Sequence, residues 1–386
     1  MSKKVLMFAM PVHPIPPLKG AAVETWMYEV SKRLLSFEPH IISIGTPYYS
    51  EKEYKDGIYF HRINFSSLYK RIFQKMTKLD PLSYPKRILR IINEVNPDIV
   101  HIHNTFEWAL PVIQKLNKEI KTILHFHNEI NVDKEILIDA FAGCSNYITE
   151  LHKKNSKIKA KQYKCLYNGV DLGKFKPYWE VLEIRENIRK RFNIKNNEFV
   201  VLFVGRVSPE KGVEHFIDIA IRFRDVKNIK FFIIGEISKK GSRYEYAKGI
   251  IQKASSLKDK IIFTDVFPPS KMHLIYLIGD VIILPSNFEE PFGMVAIEAM
   301  ASGLPVIARQ KGGLKEFIKD GVNGFFIKED RIIENSLNLI QDLINDKNLR
   351  ERISRNGRET VEKFFSWDKI AENTENFYRE LLGTDL

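Results

Sequence analysis

The sequence predicts an α/β protein of two doubly wound parallel-sheet domains, and three observations predict it. Its 386 residues exceed what one core comfortably serves and fit two domains. Short β-branched runs alternate with helical patterns, and the runs are continuously apolar, as strands covered on both faces are. The pattern pauses over 169–193, a charged and non-periodic stretch, and then restarts with the same rhythm. Both halves are therefore expected to be Rossmann-like.

In the first half the expected strands are Val5–Ala9, His40–Gly45, Ile99–His103, Thr122–Phe126 and Lys164–Tyr167. The expected helices between them are Val23–Leu35, Tyr84–Val95, Ala109–Asn117 and Asn146–Lys153. The second half opens with a strand at Phe199–Val204 and a helix at Val213–Phe223, whose Phe216, Ile217, Ala220 and Ile221 share one face. Strands follow at Lys230–Ile234, Lys260–Thr264, Val281–Leu284 and Pro305–Ala308, and the tail from Trp367 to Leu382 reads as an amphipathic helix.

Composition narrows the function. A hydrophobic content of 44% with 28% charged residues is that of a globular chain. Two cysteines, Cys144 and Cys165, suffice neither for a disulfide framework nor for a structural zinc site. No stretch reaches the ~18 apolar residues a membrane span needs. Val5–Met10 is short for a leader, and four prolines follow it with no small-residue cleavage site, so a first strand and a cytoplasmic location are expected. The net charge is +12, and residues 1–170 carry 25 basic against 16 acidic residues, a surplus of 9. Residues 61–90 hold eight basic residues, one acid (Asp80), and Phe65, Tyr69 and Phe73 among them. That segment suits peripheral contact with an anionic membrane or an anionic acceptor, or it is an ordinary lysine-rich face. No nucleic-acid-binding module accompanies the charge, so nucleic acid is not an expected partner.

Open parallel sheets bind ligands beyond the carboxyl ends of their strands. After Phe199–Val204 the chain reads Gly205-Arg206-Val207-Ser208-Pro209-Glu210-Lys211-Gly212. Arg206 and Lys211 at the opening of a helix form an anion site suited to a diphosphate, unless they are unrelated surface charges. After Val281–Leu284 come Glu290 and, eight residues on, Glu298. Gly293 lets a ligand approach, and the amides of Phe292, Gly293, Met294 and Val295 are placed to meet it. A carboxylate accepts from the two hydroxyls of a diol, and Glu298, flanked by Ala296, Ile297, Ala299 and Met300, needs such a partner. Gly312-Gly313 ahead of Glu316 is either an amide nest or a plain turn. Gly20, after the first strand, stands in a single-glycine loop with neither the dinucleotide nor the P-loop spacing.

His101 and His103 point to one face, and His125 and His127 repeat the pattern on the next strand. A metal pair, a buried structural histidine and a sugar contact are all open for them, with no Cys, Asp or Glu nearby to complete a metal site. The chain contains no Asp-x-Asp, the usual carrier of a divalent ion on a nucleotide diphosphate, so metal-independent chemistry is expected, with Arg206 and Lys211 in the metal's place.

These strings resemble the family 4 retaining glycosyltransferases of the GT-B fold. The resemblance is carried by Gly205-Arg206 with Glu210-Lys211-Gly212, by Glu290-Pro-Phe-Gly with Glu298-Ala-Met-Ala-x-Gly, by Gly312-Gly313 with Glu316, by Tyr167-Asn168-Gly169-Val170-Asp171, and by Phe365-Ser366-Trp367-Asp368. It implies two domains facing across a cleft: 1–170 on the acceptor side, joined by the closing helix 366–386 that crosses back to it, and 171–365 on the nucleotide-sugar side. It further implies that Arg206 and Lys211 bind the donor diphosphate and that Glu298 holds the ribose. Glu290 with the Phe292–Val295 backbone would hold the transferred sugar, His103 would face it, Gly20 would meet the phosphates, and Val266 would contact the base. The family's second glycine is Ala21 here, and Asp265 stands where a glycine commonly precedes the base contact. The opening Pro16-x-x-Lys19-Gly20-x-x-Val23-Glu24 is similar to the branch that includes spore-coat glycosyltransferases.

The expected activity is transfer of a hexose-type sugar from a nucleoside-diphosphate sugar, as co-substrate, to a glycan, lipid or surface-polymer acceptor, with retention and with no cofactor. Two other classes share the architecture, a nucleotide-sugar epimerase and a non-catalytic coat or scaffold protein.

Overall fold

The computed structural model describes residues 2–18, 21–64, 83–238, 240–264 and 267–384. The chain divides into two compact units, Met1–Asn168 with Trp367–Leu386, and Gly169–Ser366.

Unit one contains strands β1 (Lys3–Ala9), β2 (Phe37–Ile44), β3 (Lys52–Lys55), β4 (Ile58–Ile63), β5 (Ile99–His103), β6 (Lys121–Phe126), β7 (Ile136–Gly143) and β8 (Ile158–Cys165). They form one sheet in the order β3-β4-β2-β1-β5-β6-β7-β8, parallel except for the β3–β4 hairpin at the edge. Its helices are α1 (Ala22–Ser31), α2 (Tyr84–Val95), α3 (Ala109–Ile113), α4 (Asn146–Asn155) and the closing helix, which we number α12 (Trp367–Leu382). Val5, Met7, Trp26, Val30, Ile99, Ile370, Phe377 and Tyr378 share one core, so the last helix completes the first unit. The Glu375 carboxylate fixes it there by accepting from the Leu35 and Ser36 amides at 2.7 and 3.1 Å.

Unit two contains helix α5 (Leu182–Arg191), then β9 (Phe199–Val204), α6 (Val213–Arg222), β10 (Ile229–Ile234), α7 (Ser242–Ala254), β11 (Ile261–Thr264), α8 (Met272–Tyr276), β12 (Val281–Leu284), α9 (Met294–Ala301), β13 (Val306–Arg309), β14 (Phe325–Ile327), α10 (Ile332–Asn345) and α11 (Lys347–Phe364). The six strands are parallel, in the order β11-β10-β9-β12-β13-β14. β10 and β12, apolar throughout apart from Lys230, are covered on both faces.

The structure departs from the sequence expectation in several places, among them strand β14, which was not expected, and the following four. The stretch expected to be non-periodic contains α5, whose buried residue is Arg189. Its anchor is polar: Arg185 and Arg189 reach the two Asp280 oxygens at 2.6 and 3.1 Å and donate to backbone carbonyls besides, so no apolar stripe announces it. Strand β7 was not expected, because Asp139 interrupts its apolar run; Asp139 is satisfied by the Thr122 amide, at 2.9 Å, and by Lys161. The strand expected at Lys164–Tyr167 runs instead over Ile158–Cys165, an edge strand whose Lys159, Lys161 and Lys164 are exposed. The β3–β4 hairpin at the opposite edge was also not anticipated: β3 is polar, and Ile58 and Phe60 of β4 reach the core.

Candidate active site

The strand order of unit two reverses between β9 and β12, which lie side by side through Val201↔Val281 and Leu202↔Ile282. Their following loops therefore emerge together at the switch point, the place where such sheets bind ligands.

The loop after β9 turns through Pro209–Lys211 into Gly212, at φ +68°, which caps α6. A Cβ on Gly212 would stand 1.9 Å from the Pro285 carbonyl oxygen, so a glycine is needed for the two loops to touch. Asn287 closes the contact, its amide donating to the Glu210 carbonyl at 2.8 Å and its Nδ2 to the Pro209 carbonyl at 2.9 Å.

Lys211 Nζ reaches both oxygens of Glu290, at 2.8 and 3.1 Å. The two side chains are 20% and 13% exposed, enclosed enough to strengthen the pair yet open to a ligand. Ser286 Oγ donates to Glu290 Oε1 at 2.5 Å, and the Lys211 ammonium lies 4.6 Å from the Phe288 ring centroid. Arg206 is half exposed and meets Glu210 only at 4.0 Å, so its donors stay available.

The Glu290 loop is braced from behind. The Gly313 amide donates to the Glu290 carbonyl at 2.7 Å, the Gly312 amide donates to Glu289 Oε2, and a Cβ on Gly312 would fall 2.0 Å from the Glu290 carbonyl oxygen. Of the two sequence readings, the plain turn describes Gly312-Gly313, since both amides are engaged within the protein. Gly293, at φ +111°, starts α9, and the first-turn amides of Met294 and Val295 have no acceptor inside the helix. Phe292 is buried against Phe317 and Phe365, at centroid distances of 5.5 and 5.6 Å, so only its backbone can serve a ligand.

Glu298, one turn into α9, accepts a 2.5 Å hydrogen bond from Tyr276 Oη of α8. The residue keeps some exposure, while its carboxyl is surrounded by protein. That burial pushes it up from the ordinary 4.5 to about 7, with the Tyr276 hydrogen bond pulling the other way. Sequence reasoning missed Tyr276, Ser286 and Asn287. Ser286 and Asn287 directly follow a strand and were findable by the strand-end rule; Tyr276, on a five-residue helix, carried no signal.

In unit one the order reverses between β1 and β5, and His103 ends β5. It is fully buried, with Nδ1 3.2 Å from His127 Nε2 and Trp26 packed 5.0 Å from its ring. Gly20, Val266 and most of the basic segment, 65–82, lie outside the described residues. Arg62 of that segment is buried and paired with Glu53 at 2.7 Å, so it belongs to no exposed basic face. Among the described residues, no helix is long and apolar enough to cross a membrane.

Residues 23–174 match the Glycosyltransferase Family 4 profile and 184–360 that of the glycosyl transferases group 1. A lipopolysaccharide 1,2-N-acetylglucosaminetransferase from Salmonella typhimurium is 33% identical over 97% of this chain and 98% of its own length. The chain belongs to the family 4 glycosyltransferases. Spore coat protein SA of Bacillus subtilis is a 27% identical relative over 98% of this chain and 99% of its own, in line with the resemblance of the opening residues to that branch. The fold of this glycosyltransferase is GT-B: Anabaena HepE, solved with UDP and glucose, superposes with a TM-score of 0.74 at 18% identity, over 98% of this chain and 99% of the other.

Proposed function

We propose that this glycosyltransferase is a retaining enzyme that moves a hexose-type sugar from a nucleoside-diphosphate sugar to a glycan, lipid or surface-polymer acceptor. The observation that carries the proposal is the Lys211–Glu290 pair at the switch point of unit two, on the same loop as the available cation Arg206. An ammonium has three N–H donors, so Lys211 can hold Glu290 and still donate to a phosphate oxygen. Glu290 keeps Lys211 aimed and has acceptor capacity left for a sugar hydroxyl. Glu298 takes the ribose diol.

In the reaction the bond from the anomeric carbon to the distal phosphate oxygen breaks, and its electron pair goes to the phosphate. Arg206, Lys211 and the Met294 and Val295 amides stabilise that charge, a contribution for which one lost donor typically costs ~2.7–4 kcal/mol. The acceptor hydroxyl attacks from the face the phosphate leaves, and its proton passes to a phosphate oxygen. These cations make a divalent ion at the diphosphate unnecessary, so added Mg²⁺ or Mn²⁺ leaves turnover unchanged. The relative named for N-acetylglucosamine transfer and the neighbour bound to UDP and glucose support a pyranose donor of this class.

The test is a donor screen that follows nucleoside diphosphate release with glycan and lipid acceptors, with the product's anomeric configuration read by NMR. Release with retention is expected. An inverted product, or no release from any nucleotide sugar, would sink the proposal.

A further inference from the structure

Unit one contains a group of imidazoles that the transfer chemistry above does not use. His101 and His103 of β5 and His125 of β6 lie on one face of the sheet, with His103 directly beside His125. His127 follows on the same face. His101, His103 and His125 are fully buried, and Trp26 of α1 packs on all four rings at centroid distances of 4.9–6.1 Å.

One ring nitrogen from each of His101, His103 and His125 lies within 4.8 Å of the other two. Among the described residues, His101 Nε2 and His103 Nε2 have no hydrogen-bond partner, and the His125 ring has at most the Leu166 backbone. Buried nitrogens of this kind are destabilising unless something binds them.

Their outward partners decide which atoms carry lone pairs. Asn168 Oδ1 accepts only, so His127 Nδ1, 3.2 Å away, must be the donor. His127 Nε2 is then an acceptor, and His103 Nδ1, at 3.2 Å, must donate to it. That leaves the lone pair of His103 on Nε2. His101 Nδ1 lies 2.7 Å from Tyr378 Oη of α12, and with that hydroxyl as the acceptor the lone pair of His101 is on Nε2. Burial holds all these rings neutral, the form that binds a metal. Imidazole ligands held by hydrogen bonds through the other ring nitrogen are the usual outer shell of a metal site.

We propose that His101, His103 and His125 form a three-imidazole site for a borderline divalent transition ion of the zinc class. Zn–N bonds of about 2.0–2.1 Å place tetrahedral ligand nitrogens about 3.3 Å apart, so ring shifts of about 1 Å assemble it. All-imidazole ligation favours zinc, cobalt, nickel or copper over magnesium or calcium. The ion joins the carboxyl ends of β5 and β6 and, through Tyr378, the closing helix. His103 Nε2 cannot serve this ion and a sugar at once, so ion binding and a sugar contact by that nitrogen exclude one another.

The test uses the untagged full chain, produced in zinc-supplemented medium, gel-filtered into metal-free buffer and assayed for bound metal. About one zinc per chain is expected. Protein grown with Co²⁺ should show the visible d–d bands of four- or five-coordinate cobalt. The His125→Gln and His101→Gln variants, checked for native circular dichroism, should lose both signals. Wild-type protein with no retained zinc and no such bands overturns the proposal, as does either folded variant that binds metal as the wild type does. Should both variants fail to fold, the wild-type cobalt spectrum decides: six-coordinate, weakly absorbing cobalt overturns the assignment, and the bands of four- or five-coordinate cobalt uphold it.

Discussion

Tyr276 Oη donates to Glu298 Oε2 over 2.5 Å, joining the short helix α8 to the helix that follows the Glu290 loop. The carboxyl it holds, ordinarily at 4.5, is raised to about 7 by burial. The proposed ribose contact needs the ionised form, so affinity for a nucleoside diphosphate is expected to rise as pH increases through about 7. Removing the hydroxyl in Tyr276→Phe takes away an interaction that favours ionisation, so the midpoint should move to higher pH. Calorimetric titration of a nucleoside diphosphate across this range checks both; an affinity indifferent to pH would remove Glu298 from the site.

The same carboxyl has a stability signature of opposite sense. Its folded value lies above its unfolded one, so between about pH 4.5 and 7 the unfolded chain has released a proton the folded chain keeps. Its contribution is fully present below the lower value and is lost as pH rises through the upper. Glu298→Gln should flatten that part of the pH–stability curve, as read by denaturant unfolding at a series of pH values.

Lys211→Ala should reduce kcat by roughly 10²–10³ if the ammonium stabilises the departing phosphate. It also leaves Glu290 with Ser286 as its remaining hydrogen-bond donor, at a stability cost of about 1–3 kcal/mol. Circular dichroism should be unchanged. Near-normal turnover in a folded variant removes Lys211 from the mechanism.

Gly212→Ala places a Cβ 1.9 Å from the Pro285 carbonyl oxygen at a residue with φ +68°. The left-handed backbone alone costs about 1–3 kcal/mol, and the clash forces the two loops apart. A lower melting temperature together with weakened nucleotide binding is expected. Gly241→Ala, also at positive φ but with open space around it, should lower stability alone and leave binding intact.

Asp280→Ala takes the carboxylate from Arg185 and Arg189, leaving them backbone carbonyls alone, and removes the acceptor of the Val200 amide, which sits 2.8 Å from Asp280 Oδ2. Breaking a largely buried pair costs about 3–5 kcal/mol, here discounted toward the lower figure because Asp280 keeps 18% exposure. Limited proteolysis should then cut near α5 first; protection there equal to wild type would show that the arginine bonds to backbone carbonyls suffice.

The boundaries of β5, β9, β12, α2 and α12 fall where the sequence places them, because each strand is a short apolar run and each helix an amphipathic period with clear stops at its ends. Arg206, Lys211 and Glu290 stand in loops that follow recognisable strands, as the sequence pattern expects, and strand ends are where a parallel sheet presents its ligands. Elements anchored by charge were not legible. α5 is fastened by arginines on Asp280, and β7 carries Asp139 through its middle, so neither shows the apolar period that marks a helix or strand.

The amino-acid order by itself determined the βα alternation, the two-unit division and the loops that carry the charges, because periodicity and turn chemistry act over a few residues. Tertiary structure alone decided the partnerships: Lys211 with Glu290 across 79 positions, Tyr276 with Glu298, and three histidines from two strands gathered beneath Trp26. Those depend on strand order and register, which bring distant segments within bonding distance and which no local propensity encodes.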